Sequence, residues 1–125
     1  MRICFFRHAL AEDNTDGRLM DAERRLTPRG IARTEQAAQF LAALGLQPGV
    51  LYSSPLVRAR DTAAILGKQF GLAVTETPLL APGFNVNALE RLMQGLAGDA
   101  EVMVVGHEPD FSGTIAALIG GDRVE

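Results

Sequence analysis

The chain has only two histidines, His8 and His107. Each follows a short apolar run: Ile3-Cys4-Phe5-Phe6 leads into Arg7-His8, and Val102-Met103-Val104-Val105 leads into Gly106-His107. A third run, Val50-Leu51-Tyr52, leads into Ser53-Ser54, with Arg58 about one helical turn further on. Short apolar runs that stop abruptly read as strands buried on both faces. In open α/β sheets, ligands bind beyond the carboxyl ends of the strands. Two histidines and two arginines meeting there would surround one anion with donors. Helix starts after Pro55 and Pro109 would add backbone N–H groups and the positive ends of helix dipoles. Taken singly, each residue has a plainer use: a histidine as a surface or capping residue, Arg7 in a surface ion pair, Arg58 on a solvated helix face. Together they point to a phosphate site.

Other phosphate chemistries fit this sequence badly. No glycine-rich loop ends in Gly-Lys-Ser/Thr, and no Gly-x-Gly-x-x-Gly follows a strand. Cys4 lies inside an apolar run, and the residue six positions later is Leu10, not an arginine that could cradle phosphate behind a thiolate. Asp13 and Asp16 follow no apolar strand, which disfavours an aspartate nucleophile. Two distant histidines without matched carboxylates make a weak metal site, so no metal or other cofactor is expected.

The elements that position these residues alternate along the chain. Strands are predicted at Ile3 to Phe6, Val50 to Ser53, Leu72 to Thr75 and Val102 to Val105. Thr27-Pro28 reads as a helix start, with Thr as cap and Pro in the first turn. That helix runs to Leu44, with Ile31, Ala38, Leu41 and Leu44 inward and Gly45 as its stop. Ser54-Pro55 opens a second helix, with Ala59, Thr62, Ala63, Leu66 and Phe70 inward and Gly71 at its end. Pro78 to Gly83 reads as a loop. Further helices are predicted from Asn87 to Leu96, with Leu89, Leu92, Met93 and Leu96 inward, and from Asp110 to Ile119. Residues 9–27 form a long polar loop, of a kind usually functional or disordered. Alternating strands and helices imply an α/β fold, a three-layer α/β/α arrangement around a mostly parallel central sheet.

Composition bounds the remaining choices. With 125 residues, 47% hydrophobic and 22% charged, the chain has the makings of one globular domain with a real core. The net charge of −3 argues against a generic nucleic-acid binder. No apolar run reaches the length of a membrane span, so no membrane is expected as a partner. Cys4, the single cysteine, can make no internal disulfide, and a cytoplasmic location is the expectation. Eleven of the twelve Lys and Arg residues are arginine, the exception being Lys68. That bias suits phosphate recognition, but it also suits a GC-rich genome, which accounts better for most of these arginines.

Several segments carry a family resemblance. Phe6-Arg7-His8-Ala9 resembles the Arg-His-Gly signature of the histidine phosphatase superfamily, the phosphoglycerate mutase-like fold. Leu26-Thr27-Pro28-Arg29-Gly30 resembles that family's Leu-Thr-x-x-Gly helix start. Tyr52-Ser53-Ser54-Pro55-Leu56-Val57-Arg58-Ala59 is similar to its Ser-Ser-Pro-x-x-Arg-Ala segment, and Val105-Gly106-His107-Glu108-Pro109 to its second-histidine segment. The segments occur in the family's order over nearly the whole chain. Small size and the Gly-His-Glu-Pro-Asp form most resemble the SixA-type phosphohistidine phosphatases. The resemblance implies a metal-independent phosphatase. His8 would be the nucleophile that becomes phosphorylated. Arg7, Arg58 and His107 would hold the phosphoryl oxygens in a loose transition state. Water would then hydrolyse the phosphohistidine.

This sequence departs from the family's pattern at three places. Ala9 replaces the signature glycine. Many members carry a glutamate after the third strand to protonate the leaving group, where this chain has Leu79-Leu80-Ala81-Pro82-Gly83. Glu12, Asp13, Glu76 and Glu108 are the nearest acids by sequence, and Glu108 and Asp110 read better as helix-start residues. Last, the family usually continues with another strand beyond Gly120-Gly121, so a C-terminal edge strand is expected to be lacking from residues 1–125. An alkoxide leaving group needs a proton, whereas the imidazole of a phosphohistidine is a weaker base, with an ordinary pKa of about 6.5. A phosphorylated protein is therefore the expected substrate, for example a histidine-phosphotransfer domain. The alternatives are a small phosphate ester, or a phosphate-binding or interaction module that turns over poorly.

Overall fold

The computed structural model describes residues 1–8 and 24–119 of the chain. Four strands, β1 (Arg2–Arg7), β2 (Val50–Ser53), β3 (Val74–Glu76) and β4 (Glu101–Gly106), form one sheet in the order β1-β4-β2-β3. Every pairing is parallel. The helices between and after them are α1 (Pro28–Ala43), α2 (Val57–Phe70), α3 (Val86–Met93) and α4 (Asp110–Leu118), with a short 3-10 turn at Pro78–Leu80. This is the expected three-layer α/β/α arrangement.

β4 is central, and from Val102 to Gly106 it is fully buried. Side chains alternate across a strand, so its two sets of apolar residues feed two cores. Met103 and Val105 pack with Leu51, Ala38 of α1, and Ala59, Ala63 and Leu66 of α2. Val102 and Val104 pack with Leu80, Phe84, Leu89, Leu92 and Phe111, on the side of α3 and α4. Phe111 also meets Phe5 and Phe84 edge-on, with ring centroids 5.1 and 5.5 Å apart.

α1 begins as its sequence predicts. The Thr27 hydroxyl accepts from Gly30 N at 3.0 Å, and Pro28 occupies the first turn. Its buried face differs from the expected one. Gly30, Thr34 and Ala38 are buried, whereas Ile31 and Leu44 are exposed. The buried residues recur every fourth position and are small, which brings the α1 backbone close to α2. Thr34 tolerates burial because its hydroxyl donates to the Gly30 carbonyl at 2.8 Å. α2 starts at Val57, two residues beyond Pro55, because the Ser54 side chain accepts from Leu56 N at 3.2 Å and holds the turn open. It ends at Gly71, which adopts the left-handed conformation with φ 69°.

Gly67 and Gly113 make contrasting tests of this packing. A Cβ on Gly67 would meet the Leu72 carbonyl oxygen at 2.6 Å, whereas one on Gly113 meets nothing within 4 Å. Gly67→Ala should lose about 1–3 kcal/mol through overpacking. Gly113→Ala should gain roughly 0.5–1 kcal/mol, the cost of glycine in a helix interior. Urea unfolding midpoints of the two variants should move in opposite directions, and equal shifts would show that α2 does not lie against the entry to β3.

Candidate active site

The site grows out of the strand register. Arg7 of β1 is level with Gly106 of β4, and Ser53 of β2 is level with Val105. One residue further on, His8 N donates to the Gly106 carbonyl at 3.0 Å and Ser54 N to the Val105 carbonyl at 2.9 Å. His8 and Ser54 therefore leave the sheet on either side of His107. The His107 carbonyl in turn accepts from Phe111 N at 3.1 Å, tying the histidine to the first turn of α4.

Three of the four expected site residues converge. The His8 and His107 rings meet at 60° with centroids 5.2 Å apart. Arg58 Nε donates to His8 Nε2 at 3.2 Å. Nε2 accepts this bond, so it carries a lone pair, the form an attacking nitrogen needs. Arg58 is 7% exposed and His107 5% exposed, so both donors are shielded from water, where their effect on an anion is strongest. The first turn of α2 places Arg58, and its carbonyl accepts from the Thr62 hydroxyl at 2.9 Å. Arg7 differs. It is exposed, and its charge is felt by Glu108.

Sequence reasoning assigned no role to Ser54. The structure bonds its buried hydroxyl to His107 Nε2 at 2.8 Å. The signal available was two serines closing an apolar strand, which the partner histidine alone makes meaningful.

Among the described residues, none of the acids considered from sequence is placed as a proton donor. Hydrogen bonds from the Ser112 hydroxyl and from Ser112 N at 2.8 Å hold the Glu108 carboxyl below the usual carboxylate range, and the Arg7 charge adds to this. An acid that must be protonated at neutral pH needs the opposite shift. Glu108 is a helix-start residue, as its sequence position suggests. Asp110 is another, accepting from Gly83 N at 2.7 Å and closing the segment after β3 against α4. Glu76 faces Arg60, at 3.5 Å. Ala9, Glu12 and Asp13 lie outside the described residues. Cys4 sits mid-strand, where burial, with a contribution from Glu101, pushes its thiol up and away from a reactive thiolate.

Among the described residues, no group of three or more His, Cys, Asp or Glu could hold a metal ion. The donors present are imidazole and guanidinium nitrogens, suited to a tetrahedral oxyanion. Among these residues, no helix is long and apolar enough to cross a membrane.

Residues 3–82 match the sequence profile of the histidine phosphatase superfamily, branch 1. The chain belongs to this superfamily. It is 37% identical over 124 residues to an uncharacterised protein of Picosynechococcus sp., covering 97% of this chain and 74% of that one. Its fold is similar to the structure assigned as the phosphohistidine phosphatase SixA of Nakamurella multipartitia, with a TM-score of 0.75 and 29% identity over 90% of this chain. The chain spans 62% of that protein's length. It is also similar to the protein histidine phosphatase SixA solved with tungstate, with a TM-score of 0.80, 26% identity, and 93% and 75% of the two chains covered.

The neighbouring arginines of α2 separate a site role from a surface role. Arg60 lies two positions beyond Arg58, half-exposed beside Glu76. Losing a positioned donor to transition-state charge costs about 10²-fold or more in kcat, whereas a solvated ion pair contributes about 0–1 kcal/mol. Arg58→Ala should therefore lose at least about 10²-fold in kcat while Arg60→Ala stays close to the parent. Equal losses in steady-state assays would contradict the placement of Arg58.

Proposed function

We propose that this protein is a metal-independent phosphatase that works through a phosphohistidine on His8, with protein phosphohistidine as its substrate. The observation that carries the reading is the His8 Nε2 lone pair, 3.2 Å from the Arg58 guanidinium and beside the buried His107 ring. A phosphoryl group brought to this point meets a nucleophile and two nitrogen donors at once. In the first step the Nε2 lone pair forms the new P–N bond as the bond to the leaving group breaks. Arg7, Arg58 and His107 take up the charge that spreads over the three phosphoryl oxygens. In the second step water attacks phosphorus, inorganic phosphate leaves, and His8 is regenerated.

The leaving group favours a phosphohistidine substrate. The second ring nitrogen of a phosphohistidine takes a proton from water near neutral pH, given an ordinary imidazole pKa of about 6.5, and the ring departs as neutral imidazole. An alkyl ester has no such nitrogen and relies on an enzymic acid. The segment after β3, Leu79 to Gly83, carries no acid, and Glu108 is held ionised. The likeness to SixA proteins at 26% and 29% identity supports the same substrate class. A cytoplasmic setting, where phosphorelay proteins work, agrees with it.

A side-by-side assay tests the reading, using a phosphorylated histidine-phosphotransfer domain against aryl and alkyl phosphates, with and without chelator. The expected outcome is turnover of the phosphoprotein and of activated aryl esters, slow hydrolysis of alkyl esters, and no effect of chelator. Alkyl esters hydrolysed as fast as the phosphoprotein would make the protein a small-ester phosphatase. Binding of phosphate without turnover of any substrate would make it an interaction module.

A further inference from the structure

Ser54 is fully buried beside the site, where a hydroxyl needs its proton and lone pairs matched. Its position is held from both ends. Ser54 N donates to the Val105 carbonyl at 2.9 Å, and its own carbonyl accepts from the Ser53 hydroxyl at 2.8 Å. Among the described residues, its hydroxyl takes part in two hydrogen bonds. Oγ accepts from Leu56 N at 3.2 Å, and it bonds His107 Nε2 at 2.8 Å. The first of these uses a lone pair. The hydroxyl proton then has one acceptor, the Nε2 lone pair of His107. If Nε2 carried the ring proton instead, Oγ would accept twice and its own proton would be buried with nothing to receive it. The hydrogen bond made by one imidazole nitrogen decides which nitrogen is protonated.

We propose that Ser54 is a positioning residue that sets the tautomer of His107: by donating to Nε2, it keeps the proton of the neutral ring on Nδ1. The remaining N–H of His107 then lies on Nδ1, a buried atom, from which it can donate to a phosphoryl oxygen, where the other tautomer would offer a lone pair and repel it. The inference rests on the phosphoryl-transfer reading of the same site, but its physical content is the location of one proton, measurable without turnover. It also accounts for a polar side chain at a fully buried strand end where alanine would fill much of the same space.

The test is nitrogen NMR on protein labelled with 15N-histidine, which gives signals from just two rings, assigned by their loss in His107→Asn. At a pH where His107 is neutral, Nδ1 should show the shift of a protonated nitrogen and Nε2 that of a lone pair. In Ser54→Ala the proton should move towards Nε2, and kcat should fall roughly 10–100-fold, as is typical for losing a partner that orients a functional histidine, with KM less affected. A neutral His107 protonated on Nε2 in the parent would overturn the proposal, and that spectrum decides even if the alanine variant does not fold. A folded Ser54→Ala with an unchanged tautomer would overturn it equally. The expected spectra without turnover of any phosphorylated substrate would count against the phosphatase reading and leave the role of Ser54 on His107 standing.

Discussion

The site depends on the register of one central strand. β4 lies between β1 and β2, and both ladders continue one residue past its neighbours' ends, through His8 N to the Gly106 carbonyl and Ser54 N to the Val105 carbonyl. These two backbone bonds place the His8 imidazole, the proposed nucleophile, and the Ser54 hydroxyl on either side of His107. A slip of one residue would turn every β4 side chain to the opposite face, exchanging Met103 and Val105 with Val102 and Val104 between the two cores. Both cores resist that exchange, because each is filled by helices that meet one set of side chains. The packing that stabilises the sheet thus also aligns the site. Gly106 belongs to the same arrangement: a Cβ there would lie 2.6 Å from the Phe111 ring, which packs against the strand just before His107.

Electrostatics determines what the aligned residues do. Arg58 and His107 are buried, so their donors would act on a bound anion in a medium that screens them weakly. Arg7, the last residue of β1, is exposed, which suits it to drawing an anion in. Among the described residues, the acids near the strand ends are engaged with other partners. Glu108, just before α4, accepts from Ser112, Asp110 ties the segment after β3 to the start of α4, and Glu76 balances Arg60. A carboxyl held ionised by hydrogen bonds at a helix start contributes to architecture rather than to proton donation.

Much of this was legible in the sequence for identifiable reasons. Both histidines close apolar runs, and runs buried on both faces are the least ambiguous strands. The Thr27-Pro28 start and the Gly71 stop follow from local backbone chemistry and appear as expected. What local pattern could not supply was lateral order: β4 inserts between β1 and β2, although two strands separate it from β1 along the chain. The buried face of α1 was also hidden. Its contacts run through Gly30, Thr34 and Ala38, while the larger Ile31 and Leu44 face outward. Side-chain size and burial agree only when a helix faces a roomy core, and α1 packs closely on another helix. Ser54 escaped notice as a functional residue because its importance lies in a partner 53 positions away.

The central claim is that phosphorus is transferred to His8 before it reaches water. Rapid quenching of the enzyme into alkali during turnover of a phosphorylated substrate, followed by peptide mass spectrometry, tests this most directly. The account predicts one acid-labile, base-stable phosphoryl group on His8, absent from His8→Ala, which should be inactive. A phosphoryl group on any other residue, or turnover retained by His8→Ala, would contradict it.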